Sequence, residues 1–113
     1  MAADDNETVR RILLELGVLQ SGEQPSYGEY VDVRDMARSL YAELWDNYLI
    51  IWPIDDPPIS SQDAWIKYVA GRCANLFGIK DAGVLMRADE ARRRLIAIAA
   101  SYLPETEIPV CDF

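Results

Sequence analysis

The chain has 113 residues, half of them hydrophobic, which suits one domain with a modest core and excludes both a disordered chain and a second domain. Eleven basic against nineteen acidic residues leave a formal charge of −8, so a grip on nucleic acid through phosphate neutralisation is not expected. There is no histidine, which removes the usual general base near neutral pH and the commonest metal ligand.

The start, Met1 to Glu7, is acidic where a signal peptide is basic. No run approaches the roughly 18–20 apolar residues of a membrane span. Cys73 and Cys111 are far apart in sequence, with no second thiol near either. They read as free thiols of a reducing cytoplasm, not as a redox pair or a zinc cluster.

A first helix is predicted from about Glu7 to Leu16, with Val9, Ile12, Leu13 and Leu16 on one face. Gly17 suits the left-handed position that ends helices, and Val18 can fold back on the last turn. Pro25 then fixes a turn, and Ser26 with Glu29 spells a capping box. The second helix runs from about Tyr27 to Tyr48, with Tyr30, Val33, Ala37, Leu40, Tyr41, Leu44 and Trp45 as its apolar stripe. Gly28 loosens its first turn.

Leu49 to Ile59 contains three prolines, which forbid a regular helix. Leu49 to Ile51 suits a short extended piece. The segment is apolar for a loop and is expected to pack across the helices. The third helix spans about Gln62 to Phe77, capped by Ser60 or Ser61, with Asp63 at its positive end and Gly78 after it. Its stripe is Trp65, Ile66, Val69, Cys73, Leu76 and Phe77. The fourth helix starts near Ala82 behind Asp81 and ends at Pro104. Val84, Leu85, Ala88, Ala91, Leu95, Ile98, Ala99 and Tyr102 form its expected buried side. The expected fold is therefore all-α: four main helices over residues 1–104, then an extended tail over 105–113.

Few residues point to chemistry. Asp55 and Asp56 could pair as glycosidase carboxylates, but Asp56-Pro57 reads as a turn. Asp4-Asp5-Asn6 lacks calcium-loop spacing and suits a helix N-terminus. There is no glycine-rich phosphate loop and no serine elbow. No catalytic residue, cofactor or metal is expected.

Surfaces are the better candidates. Tyr41, Trp45, Tyr48, Trp52, Trp65 and Tyr68 crowd the middle of the chain. They suit core packing, and some suit interface anchors. Arg92, Arg93 and Arg94 form a basic run on the fourth helix. They either pair locally with Asp89 and Glu90 or face an acidic surface on a neighbouring copy. Ile108, Val110 and Phe113 give the tail an apolar character that an unattached end does not need. With Trp52 they are the candidate contacts to a partner. The alternative is that the tail folds back onto its own bundle.

Several segments occur in a telling order. They are Arg10…Leu13…Leu16-Gly17-Val18, then Gly22-Glu23-Gln24-Pro25-Ser26, then a long helix closing in Leu44-Trp45. Ile51-Trp52-Pro53-Ile54 through Pro58-Ile59 and Asn75-Leu76-Phe77-Gly78-Ile79 follow. From about Thr8 to Leu103 the chain resembles the head–tail adaptor, or head-completion, proteins of tailed bacteriophages. The resemblance implies a structural virion subunit, without cofactor or membrane contact. It implies a homo-oligomeric ring, commonly a dodecamer, bound under the portal protein. Such a ring extends the DNA channel, helps retain the genome and receives the next tail component, while DNA passes without specific binding. In several members a C-terminal extension docks on the portal; here Pro104 to Phe113 is short. The rival expectation is a small acidic interaction protein, either a DNA mimic or a regulator of a host protein.

Overall fold

The structure is a computed structural model that describes residues 5–54 and 56–101. Its elements are α1 (Asp5–Leu16), α2 (Tyr27–Asp46), a 3₁₀ turn (Ile59–Ser61), α3 (Gln62–Cys73), a second 3₁₀ turn (Ala74–Phe77) and α4 (Ala82–Ser101). This is the expected all-α bundle of four main helices, and no strand occurs among the described residues. The two longest helices, α2 and α4, have 20 residues each.

Local chemistry sets most boundaries. After α1, Gly17 adopts φ 78°. Its N–H donates to the Leu14 carbonyl and the Val18 N–H to the Leu13 carbonyl, at 3.1 and 3.0 Å. These two bonds satisfy carbonyls that a helix end otherwise leaves orphaned. Val18 packs on the core as its position suggests. The capping box forms as written: Glu29 N–H donates to Ser26 Oγ at 3.1 Å, and Ser26 N–H to Glu29 Oε1 at 2.9 Å. At α4, Gly83 N–H donates to Asp81 Oδ1 at 2.8 Å, so Asp81 is the cap.

The centre of the bundle is α3. Ala64, Ile66, Tyr68, Val69, Ala70, Gly71 and Cys73 are all buried, more than one face can hold. α1, α2 and α4 all pack on α3, whereas α2 and α4 have little contact with each other. The α3–α4 seam is made of small residues. A methyl group on Gly71 would overlap the Ala88 side chain and lie 3.1 Å from the Val84 carbonyl oxygen. Ala88, Ala91 and Ala99 line the buried side of α4, with Val84 and Leu95.

Several expectations need correction. α2 stops at Asp46, not Tyr48. Asn47 caps it, and Tyr48 turns to φ 59° so that its N–H reaches the Trp45 carbonyl at 3.0 Å. Leu49 N–H meets the Leu44 carbonyl at 2.9 Å, which reproduces the Gly17 ending with a tyrosine in the glycine position. Neither Ser60 nor Ser61 caps α3 through its side chain; the buried Ser61 hydroxyl donates to the Pro58 carbonyl at 2.7 Å, closing the 3₁₀ turn. The last turn of the third helix tightens to 3₁₀ before Gly78. Trp45, Leu76 and Leu85 are exposed instead of buried. Tyr102 lies outside the described residues.

The proline link does pack on the bundle. Ile50 and Trp52 are buried, and the Tyr41 hydroxyl donates to the Trp52 carbonyl at 2.6 Å. That bond ties the link to α2.

The seam gives a direct test. Gly71→Ala is expected to lower stability by roughly 1–3 kcal/mol through overpacking, despite alanine's better helix propensity. Gly28→Ala, with nothing within 4 Å of the added methyl group, is expected to be neutral or mildly stabilising. Chemical denaturation of both variants checks the contrast. Leu44→Ala and Leu95→Ala, at fully buried positions, should each cost about 2–5 kcal/mol in the same measurement.

Candidate functional site

Among the described residues no group of three or more His, Cys, Asp or Glu side chains could hold a metal ion. Cys73 is buried in α3, and that burial, helped by the Asp32 carboxylate, pushes its thiol up to about 12. Such a thiol stays protonated and is no nucleophile. What the structure presents instead is three surface features.

The first is the outer side of α4. Arg93 and Arg94 are exposed and Arg92 is half-buried. Arg93 pairs with Asp89 one turn earlier, so the local pairing is real for that residue. An exposed pair of this kind contributes little to stability, and it leaves Arg93 at the surface. Leu85 and Met86 stand exposed in the first turns of the same helix.

The second feature is a corner at the C-terminal end of α2. Trp45 is 46% exposed, Tyr48 90% and Ile51 43%. Trp45 stacks on Tyr41, with ring centroids 5.9 Å apart and an interplanar angle of 23°. Tyr41 is in turn held by its bond to Trp52, so the outermost tryptophan stands on a fixed support. A non-glycine residue in the left-handed region costs about 1–2 kcal/mol of backbone energy. Tyr48 bears that cost with its ring in solvent.

The third feature is a cleft of about 400 Å³ between α1, α2, the proline link and the start of α3. Val9, Ile12, Ile54, Ile59, Trp65 and Ile66 give it apolar walls. Arg11, Arg34 and Arg38 also line it, with Glu7 as the one carboxylate. Arg34 pairs with Asp35 and lies over the Tyr30 ring, 5.3 Å from its centroid. Glu7 is hydrogen-bonded by Arg10, which holds its carboxyl below the usual range.

The sequence-predicted contacts therefore scatter. Trp52 is a core residue, 9% exposed, and offers a partner little more than an edge. Ile108, Val110 and Phe113 lie outside the described residues. The arginine run is on α4, whereas the aromatic corner belongs to α2 and the link after it, and the two helices have little contact. The cleft and the strained Tyr48 were not foreseen. A proline-rich link carrying Ile54 and Ile59 was the available signal for the cleft. Among known proteins, no family model, no curated protein and no solved structure matches this chain.

Tyr48→Gly should raise stability by about 1 kcal/mol, because glycine adopts the same backbone without strain; thermal denaturation checks the sign. For Cys73, a Cys111→Ser chain treated with a thiol reagent at pH 8 should not react while native. It should take up one equivalent on unfolding. Between pH 9 and the raised value, the native thiol keeps a proton that the unfolded chain has lost. Stability on this account falls as pH rises through that window.

Proposed function

We propose that the chain is a structural subunit of a phage head–tail adaptor, one that acts by assembling and not by catalysis. The observation that carries the reading is the placement of unlike surfaces on separate flanks of α3. On one flank α2 exposes Asp32, Asp35, Glu43 and Asp46 along a single stripe, apart from the side that carries Trp45. On another, α4 exposes Arg87, Arg93 and Arg94, which outnumber the exposed Asp89 and Glu90 of the same helix, together with Leu85 and Met86. A head-to-tail contact needs two different, complementary patches on each copy, and repetition of such a contact closes a ring when the rotation allows. The helix–loop–helix opening and the order of the later segments support the same assignment by resemblance.

In this reading the ring joins portal to tail at the head–tail junction of the virion. Its net negative charge removes the phosphate-binding attraction, so DNA could slide past without adhering. The Trp45–Tyr48–Ile51 corner supplies the apolar part of the subunit contact, since aromatic anchors dominate such interfaces.

Native mass spectrometry of the purified chain, alone and with a portal ring, tests the proposal. Closed oligomers, or copies bound around the portal, are the expected result. Arg93→Glu should reduce assembly at least tenfold while leaving the melting temperature within about 2 °C, as exposed ion pairs contribute little to folding. A chain that stays monomeric or dimeric under both conditions would overturn the proposal and favour a DNA mimic or regulator. Normal rings from Arg93→Glu would remove the arginines from the interface.

A further inference from the structure

We infer that the cleft between α1, α2 and the proline link binds a small amphiphile, an aliphatic body ending in a single carboxylate. Size and lining are the first argument. At about 400 Å³ the cleft falls within the roughly 300–1,000 Å³ of small-molecule sites, which combine mostly apolar walls with a few polar groups. Its walls are Val9, Ile12, Ile54, Ile59 and Ile66, all branched aliphatic, and the Trp65 ring. Such walls favour a ligand through the apolar area it removes from water and give an aliphatic body nothing to hydrogen-bond. Ile59, 83% exposed, is the wall that gains most from an occupant, since covering its side chain removes the largest apolar area.

Charge is the second argument, and it selects the head group. The chain carries −8, yet Arg11, Arg34 and Arg38 line the cleft against Glu7 as the one carboxylate among the described residues. Glu7 already accepts hydrogen bonds from Arg10, which lies outside the lining. Arg34 and Arg38 stand one turn apart on α2 and so share a face, and the lining residue beside them is the small Ala37. Asp35 and the Tyr30 ring hold the Arg34 guanidinium in place. An adjoining hollow shares Arg11, Ile59, Gln62 and Ile66 with the cleft but carries Glu15 and Asp63, the latter paired with Lys67. Those carboxylates disfavour an anion at that end. The head group therefore belongs at Arg34 and Arg38, with the aliphatic body over Ile54, Ile59 and Trp65. Guanidinium N–H groups match a carboxylate as a fork. Arg34 is half-buried and Arg38 exposed, so the head keeps part of its hydration and its desolvation cost stays small. A body of −8 repels an anion in proportion to its charge, which favours one charge over the several of a nucleotide. The inference is independent of the adaptor reading.

The test titrates the full chain with decanoate, kept below its micelle concentration, by calorimetry and by the Trp65 indole signal in nitrogen–proton correlation spectra. Trp65→Phe identifies that signal. Decanoate should bind one per chain and move Trp65. Decanol, which keeps the body and lacks the charge, should bind at least about tenfold more weakly, as should acetate, which keeps only the head. Arg34→Gln and Arg38→Gln should each weaken decanoate at least about tenfold with the melting temperature little changed. If Arg34→Gln disturbs the fold through Asp35 and Tyr30, the exposed Arg38→Gln decides. Decanoate that does not bind, or binds without moving Trp65, overturns the inference. So does decanol that binds as tightly as decanoate, or decanoate affinity unchanged in Arg38→Gln. One decanoate per two chains places the site between copies and also overturns it.

Discussion

The contact between Gly71 and Ala88 is the constraint on which the bundle depends. Helix axes pack at about 8–10 Å depending on the side chains between them. A glycine set against an alanine methyl and the Val84 carbonyl puts this pair at the close end of that range. With α4 drawn this near, α3 has its remaining sides free for α1 and α2, and most of its residues are buried as a result, Asp63 and Arg72 staying in solvent. The same seam sets the direction of α4. It also brings α4 against the turn at Ile59–Ser61.

That explains which parts of the fold were legible from sequence. Ser26 with Glu29, Asp81, Gly17 and Gly78 were readable because their hydrogen bonds close within a few residues. The apolar stripes located the helices for the same reason, being periodic. Periodicity records which residues are apolar, not which are covered. Trp45, Leu76 and Leu85 sit at core-like spacing and yet face solvent, because no further element among the described residues lies over them. In α3 the pattern is blurred in the opposite sense: Ala64, Ala70 and Gly71 are buried outside the predicted stripe. The ending of α2 was hidden by Tyr48, whose type suggests a continuing helix while its backbone takes the conformation of a glycine.

The candidate surfaces divide along the same line. The pairing of Asp89 with Arg93 was legible, since residues four apart on a helix are neighbours. The cleft was not, because its walls come from 7–12, 34–38, 54–59 and 62–66, and only tertiary packing brings these together. Trp52 was read as a contact for partners because tryptophan dominates interfaces. Its carbonyl bond from Tyr41 instead marks it as the clamp that holds the proline link to α2. Composition alone cannot separate those roles.

Size is distributed in an unusual direction. The central seam uses glycine and alanine, while several of the largest side chains stand at the periphery. Trp45, Tyr48 and Ile51 crown α2, Ile59 overhangs the cleft, and Leu85 and Met86 project from α4. Single exposed apolar residues are ordinary, but grouped ones mark surfaces that meet something. Tyr48 sharpens the point, because its ring makes no stacking contact among the described residues to offset the strain of its backbone. A body carrying −8 also repels its own copies, so association requires apolar patches together with local reversals of charge. The α4 arginines and the cleft rim are two such reversals, each beside exposed apolar side chains. A bundle whose interior is satisfied by its smallest residues has its larger ones available for contact, and that is the physical basis for reading this chain as a part of something larger.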